Sequence, residues 1–305
     1  MAIVGSGAVG LYYGARLAAA GEDVRFLLRS DYEAISRGGL KVASVDGDFE
    51  LPQVKACLTP EEIGPVDLVI VAWKTTSNSQ LAAVLSPLLH AGTQVLTLQN
   101  GLGNCEALAA IVGPERVLGG LCFVCINRTA PGAVSHTAGG RVTLGEWLPD
   151  DRGRAAELER RFRAANLLGF AVDNLEKSQW EKLIWNIPFN GLSVAEGGVT
   201  TDVLLDGTEN ESKLSGLMAE VIAAARALGL EVSDDRIAYN IERTRPMGPY
   251  RTSSMIDFVQ GREVEVTPIW EEPLRRAKAA GVAMPMTEDL LRRIGERLVE
   301  RSQTL

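Results

Sequence analysis

Met1-Ala2-Ile3-Val4-Gly5-Ser6-Gly7-Ala8-Val9-Gly10-Leu11-Tyr12-Tyr13-Gly14-Ala15-Arg16-Leu17 opens the chain. A short apolar strand runs into a glycine-rich turn, and the turn runs into a helix. A dinucleotide needs this order because its pyrophosphate sits against backbone N–H groups at a helix N-terminus, where a Cβ on the turn would hold it away. Gly5 makes the turn, Gly7 admits the phosphates and Gly10 lets the helix pack on the strand, with Ser6, Ala8 and Val9 completing the cradle. Glycine clusters occur in many loops; the strand before and the helix after give this one its meaning.

The choice of dinucleotide turns on the end of the second strand, roughly 20 residues beyond the first glycine. There Val24-Arg25-Phe26-Leu27-Leu28 ends in Arg29-Ser30. A carboxylate would hydrogen-bond the ribose 2′-hydroxyl and repel a 2′-phosphate, whereas a guanidinium offers charge-assisted contacts to that phosphate. Arg29 therefore favours NADP over NAD. The competing reading makes Arg29 an ordinary solvated charge and has Asp31 reach back to the ribose.

At 305 residues, 46% hydrophobic and 23% charged, the chain has ordinary globular composition and length for two domains with their own cores. A net charge of −8 and the absence of a basic cluster interleaved with aromatics argue against a nucleic-acid partner. The apolar stretch Val66 to Trp73 is far too short to span a membrane, and no leader pattern opens the chain. Cys57, Cys105, Cys122 and Cys125 are too scattered for a secreted disulfide framework, so a cytoplasmic location is expected. Cys122-Phe123-Val124-Cys125 spells CxxC inside an apparent strand, whereas a redox CxxC sits at a helix N-terminus. With only His90 and His136 to offer imidazole, no metal constellation is apparent.

The first half of the chain alternates. Apolar strands at Ala2 to Val4, Val24 to Leu28, Leu68 to Ala72 and Gln94 to Leu98 are separated by helical or irregular stretches, which predicts a parallel, doubly wound sheet of Rossmann type. Leu118 to Asn127, Gly132 to His136 and Arg141 to Trp147 read as added antiparallel strands. A helix near Arg152 to Leu168 and a strand at Gly169 to Asp173 complete the unit. From Asn174 onward strand signals vanish. Thr208 reads as the cap of a helix that stops at Gly229, a further helix stops before Gly281, and Thr287 reads as the start of the last. The expected architecture is an α/β dinucleotide-binding domain over residues 1–174 and an all-helical domain over 175–305, with the active site in the cleft between them.

A nicotinamide enzyme must orient a carbonyl and supply a proton or positive charge to its oxygen. Neither histidine has an obvious carboxylate partner in the sequence, so a lysine comes into view. In Trp180-Glu181-Lys182-Leu183-Ile184-Trp185-Asn186-Ile187-Pro188-Phe189-Asn190, the residues Lys182, Asn186 and Asn190 are four apart and form one polar stripe on a continuous helix. Pro188 removes a hydrogen bond to Ile184 and is expected to kink that helix. The plain alternative is two incidental asparagines and a surface lysine.

Taken together, these motifs resemble the ketopantoate reductase (2-dehydropantoate 2-reductase) family over essentially the full length. The carrying features are the glycine turn, Lys74 after Val71-Ala72-Trp73, Gln99-Asn100-Gly101-Leu102-Gly103, the Lys182 helix with its asparagines, and Ser253-Ser254-Met255-Ile256-Asp257 followed by Gly261-Arg262-Glu263-Val264-Glu265. The resemblance implies that Lys182 is the catalytic lysine donating to the keto oxygen and that Glu265 is the acid helping to hold substrate and lysine. It implies that Asn100 lies between nicotinamide and substrate, that Asn186, Asn190 and Ser254 contact the substrate, and that Arg29 and Lys74 contact NADP. Without the resemblance, Glu265 reads as an ion-pair partner of Arg262 or a solvated acid.

The chain also departs from the family pattern. Val266-Thr267-Pro268-Ile269-Trp270-Glu271-Glu272 stands where an Ile-Asp pair and an Asn-Gly pair are usual, Pro188 interrupts the lysine helix, and Gly191 replaces a usual proline. The expected function is NADPH-dependent reduction of 2-dehydropantoate to pantoate, towards pantothenate. The alternatives are a reductase of another 2-oxo acid and a non-catalytic NADP-binding regulator, which would not need Lys182, Asn100 and Glu265 together. β-Hydroxyacid dehydrogenases share the two-domain plan but match these motifs less well. A helical second domain of this kind can also carry a homodimer interface.

Overall fold

In the computed structural model, which describes residues 1–149 and 152–304, the alternation of the first half becomes a single ten-stranded sheet. Its strands are β1 (Ala2–Val4), β2 (Arg25–Leu27), β3 (Leu40–Ser44), β4 (Phe49–Leu51), β5 (Lys55–Cys57), β6 (Leu68–Val71), β7 (Gln94–Thr97), β8 (Val117–Ala130), β9 (Ala133–Glu146) and β10 (Leu168–Val172). The spatial order is β4-β3-β9-β8-β7-β6-β1-β2-β5, with β10 on β9. From β5 across to β8 every pairing is parallel. The chain leaves β1 to one side for β2 and comes back on the other side for β6. Ligands bind at the carboxyl ends of strands at such a reversal, and here those ends carry Gly5, Trp73 and Gln99.

Two expected strands, Gly132 to His136 and Arg141 to Trp147, are one. β9 runs unbroken through Gly139 and Gly140, whose φ angles are 78° and 113°, and the β8 ladder shifts register opposite them. A Cβ on Gly139 would stand 2.5 Å from Phe123 O. The glycines thus make a bulge that bends the hairpin without ending it. β3 follows β2 in the chain yet pairs with β9, making a mixed half-barrel rather than a flat open sheet. The Ala8–Ala19 helix packs against β8, β9 and β3, and every residue from Gly10 to Leu17 is buried. The expected helix over Arg152 to Leu168 spans Arg154–Ala164 and ends in a turn where Asn166 takes a left-handed φ of 54°, freeing Leu168 to start β10. Cys122 and Cys125 lie on β8.

Met1–Asn100 with Asn104–Leu175 forms one compact unit, and Gly101–Gly103 with the chain from Glu176 onward forms the other. The regular elements among the described residues of the second unit are helices, including Leu175–Ala195, Thr208–Ala227, Ser253–Val259, a π-turn at Thr267–Glu271 that leads into Glu272–Ala279, and Pro285–Thr304. Trp180, Ile184, Phe189, Met218 and Trp270 are among its core residues. The long helix continues across Pro188 without a break. Helices stop at Ala227 and Ala279, just before Gly229 and Gly281.

Two expected helix starts move. Gly207, not Thr208, is the cap of Thr208–Ala227. The last helix begins at Pro285, where proline costs no intrahelical bond. Thr287 then uses its N–H and hydroxyl to donate to Glu220, each at 2.8 Å, while Met286 N–H donates to the same carboxylate at 2.7 Å. A carboxylate from a neighbouring helix satisfies the orphan donors and meets the positive end of the dipole. No described helix is long and apolar enough to cross a membrane.

Candidate active site

At the carboxyl end of β1 the glycine turn has the shape a pyrophosphate requires. Gly5 has φ 103°, and a Cβ there would lie 2.2 Å from Trp73 N; a Cβ on Gly10 would lie 2.0 Å from Gly5 O. The turn is thus pressed against the end of β6 and against its own helix. A Cβ on Gly7 would meet nothing within 4 Å, so this residue faces open space. Gly7 caps the helix that starts with Ala8 and Val9, no side chain fills the cap, and no acid occupies the first turn. An uncapped helix start without a competing carboxylate suits an anion. Ser6 Oγ donates to Leu27 O at 2.6 Å and ties the turn to β2.

Beyond β2, Arg29 and Ser30 are exposed. Asp31 is not free to reach back to a ribose. It is 2% exposed, and its carboxylate accepts from Gly132 N–H at 3.1 Å and from Ser30 Oγ at 3.0 Å and pairs with Arg128 Nη1 at 3.0 Å. Lys74, partly buried, stands at the head of the Thr75–Gln80 turn that follows β6.

A run of amide side chains joins the ends of β6 and β7. Thr97 Oγ1 donates to Gln99 Oε1 (3.0 Å), and Gln99 Nε2 donates to Asn78 Oδ1 (2.8 Å), which also accepts from Trp73 Nε1 (3.2 Å). Asn78 Nδ2 then donates to Asn104 Oδ1 (3.2 Å), and Asn104 Nδ2 to the carbonyl of Asn100 (2.9 Å). Asn78 and Asn104 escape the sequence reading; the signal available was a cluster of amides after two buried strands. The next residues, Gly101–Gly103, dock on the π-turn: Leu102 N–H donates to Pro268 O at 2.9 Å, and a Cβ on Gly101 would lie 2.2 Å from that oxygen.

In the helical unit, Lys182, Asn186 and Asn190 follow one another at single-turn steps along Leu175–Ala195. Asn186 and Asn190 are 6% and 1% exposed, and Lys182 is partly buried. Buried amides need partners. Asn190 Oδ1 accepts from Ser254 N–H at 3.1 Å and from Ser253 Oγ at 3.3 Å, which brings Asn190 and the buried Ser254 together. Thr252 Oγ1 caps the Ser253–Val259 helix by accepting from Met255 N–H. Glu265 is partly buried just before the π-turn. Its suggested partner Arg262 instead pairs with Asp257 at 2.9 Å.

Two of the departures from the family pattern, Trp270 and Gly191, pack together. Trp270 is buried, donates from Nε1 to Ile187 O at 3.1 Å, and would meet a Cβ on Gly191 at 3.0 Å; Leu290 Cδ2 would meet the same Cβ at 2.5 Å. Glu272, at the end of the altered segment, holds Arg275 (2.7 Å) and Arg276 (2.8 Å), and Arg275's hydrogen bond keeps its carboxyl below the ordinary range despite the opposing effect of burial.

Both histidines have carboxylate neighbours that the sequence did not reveal. His90 Nε2 is 3.1 Å from Asp67, before β6 and at the far end of the strands from the glycine turn. His136 is buried with Nδ1 near Ser44 Oγ (2.9 Å), Tyr12 Oη (3.1 Å) and Asp46 (3.6 Å), where the pairing of β3 with β9 brings it. Among the described residues no group of three or more His, Cys, Asp or Glu side chains is arranged to hold a metal.

Residues 1–149 match the family model "Ketopantoate reductase PanE/ApbA", and residues 174–297 match "Ketopantoate reductase PanE/ApbA C terminal". The chain is similar to a 2-dehydropantoate 2-reductase of Nostoc sp., 41% identical over 93% of this chain and 90% of that protein. Among solved structures, 2-dehydropantoate 2-reductase from Geobacter metallireducens is 48% identical with a TM-score of 0.95, covering 97% of this chain and 99% of that one. The Methylococcus capsulatus 2-dehydropantoate 2-reductase is 30% identical with a TM-score of 0.90, over 99% and 97% of the two chains.

Proposed function

Because the chain belongs to the ketopantoate reductase family of oxidoreductases, we propose that it reduces 2-dehydropantoate to pantoate with NADPH, a step towards pantothenate. The observation that carries this reading is the stripe of Lys182, Asn186 and Asn190, with two asparagines nearly removed from water and one bonded to Ser254. Asparagines at two successive turns of a core helix are costly unless something uses them, and polar atoms beside an ammonium suit a 2-oxo acid.

NADPH, when bound, supplies the hydride to the keto carbon. Lys182 donates a proton to the keto oxygen as the carbonyl becomes a hydroxyl, and its positive charge stabilises the oxygen before the proton moves. Glu265 holds lysine and substrate. Asn186, Asn190 and Ser254 would orient the substrate, and Asn100 would contact substrate and cofactor. The cofactor is held by the Gly5-Ser6-Gly7-Ala8-Val9-Gly10 turn and by Arg29 and Lys74. Arg29 is exposed and Asp31 turned inward, an arrangement that supports NADPH over NADH.

A second reading, reduction of a different branched 2-oxo acid, draws on the packing of Trp270 against Gly191, the residue after Asn190. NADPH oxidation by the purified chain with 2-dehydropantoate and a panel of 2-oxo acids separates the two, with Lys182→Ala as control. Fast turnover of 2-dehydropantoate that collapses in the control supports the first reading. Preference for another oxo acid overturns it in favour of the second.

A further inference from the structure

Beyond the second strand, Asp31 and Arg29 are only two residues apart, and a carboxylate so near an arginine would cancel much of its pull on a phosphate. The fold removes this conflict by bringing in a residue from far along the sequence. Arg128, near the tip of the β8–β9 hairpin, pairs through Nη1 with Asp31 Oδ1 at 3.0 Å and lies 3.4 Å from Ser30 Oγ. We infer that Arg128 is a second guanidinium for the 2′-phosphate of the cofactor, acting with Arg29 to select NADPH over NADH. The inference rests on the NADPH reading above.

Three observations support it. The Asp31 carboxylate is engaged by the Gly132 N–H, the Ser30 hydroxyl and Arg128, and is almost fully buried, so it is committed to protein partners. Arg128 makes both of these contacts through Nη1, and its side chain remains 39% exposed. The site gathers two arginines and one carboxylate in a chain whose net charge is −8, a local reversal of sign. A phosphate dianion is best met by more than one forked, charge-assisted donor. Asp31 is thus the anchor that aims Arg128 rather than a ribose ligand.

The test is titration of the full chain with NADPH and with NADH, followed by nicotinamide fluorescence, for wild type, Arg29→Met, Arg128→Met and the double variant Asp31→Asn/Arg128→Met. Arg128→Met should weaken NADPH about tenfold and leave NADH unchanged, as loss of one charge-assisted contact requires. The double variant should keep that loss, because cancelling the Asp31 charge does not restore a donor. It also carries the test if Arg128→Met alone unfolds around an uncompensated carboxylate, which thermal melting reports. An unchanged preference in Arg128→Met, or a preference restored in the double variant, overturns the inference and leaves Arg128 as a hairpin tie. If Arg29→Met loses the preference while Arg128→Met keeps it, the NADPH reading stands without this inference. A wild type that binds both cofactors equally overturns the NADPH reading itself.

Discussion

The indole of Trp270 donates to the carbonyl of Ile187, across a gap that only the missing side chain of Gly191 leaves open. Trp270 lies in the π-turn that also receives Leu102 N–H on Pro268 O. One short irregular segment therefore braces both the asparagine helix and the turn after Asn100. π-Turns inserted into helices recur at functional sites, and here the insertion sets the position of two backbone carbonyls.

Gly191→Ala should destabilise the chain by about 1–3 kcal/mol, since the new Cβ must displace Leu290 or the indole in a packed core. Urea denaturation followed by Trp fluorescence measures this. The strain should also move Asn190, so KM for the oxo acid should rise along with the loss of stability.

Lys182→Ala should lower kcat by at least about a hundredfold, the usual scale for a positioned acid. NADPH affinity measured by fluorescence should stay within about twofold. A fall in both together would point to a structural role.

Asn78→Ala removes the acceptor for Trp73 Nε1 and Gln99 Nε2 and the donor to Asn104. Buried donors left without partners cost about 1–3 kcal/mol. Because the last link holds the Asn100 carbonyl, kcat/KM should fall as well, and Asn78→Asp, which retains the acceptor, should recover part of the stability.

Glu272 has its pKa lowered below the ordinary 4.5, first by the hydrogen bond from Arg275. A depressed carboxylate adds stability above its unfolded-state pKa, and that stability is lost as pH falls through the folded value. Melting temperature should therefore drop below about pH 4.5, and Glu272→Gln should be less stable than wild type near neutrality by about 1 kcal/mol or less. The two proteins should converge in acid. A constant gap down to pH 3 would assign the difference to packing instead.

The opening strand, turn and helix were legible because each signal is local: an apolar run, three glycines at set spacing and a following helix. The helical character of the second half was legible for the same reason. The half-barrel was not, because it depends on β3 pairing with β9, some 90 positions away in the chain. That pairing also brings Asp46 to His136. Likewise Asp31 and Arg128, Trp270 and Gly191, and Asn78 and Asn104 meet only through the fold. Around the candidate site, the contacts that tie Asn190 to Ser254, and Asn104, the partner of Asn100, to Asn78, are long-range and leave no local signal in the sequence. Thr208 and Thr287 mislead because a hydroxyl near a helix start reads the same whether it stands before the first turn or within it.

The relay from Thr97 and Trp73 through Gln99, Asn78 and Asn104 to the Asn100 carbonyl is made entirely of neutral groups. None of its side chains gains or loses a proton across the range in which enzymes work. The support beneath Asn100 is thus indifferent to acidity, and a bell-shaped rate profile would report on the lysine, the acid and the substrate without a contribution from this scaffold.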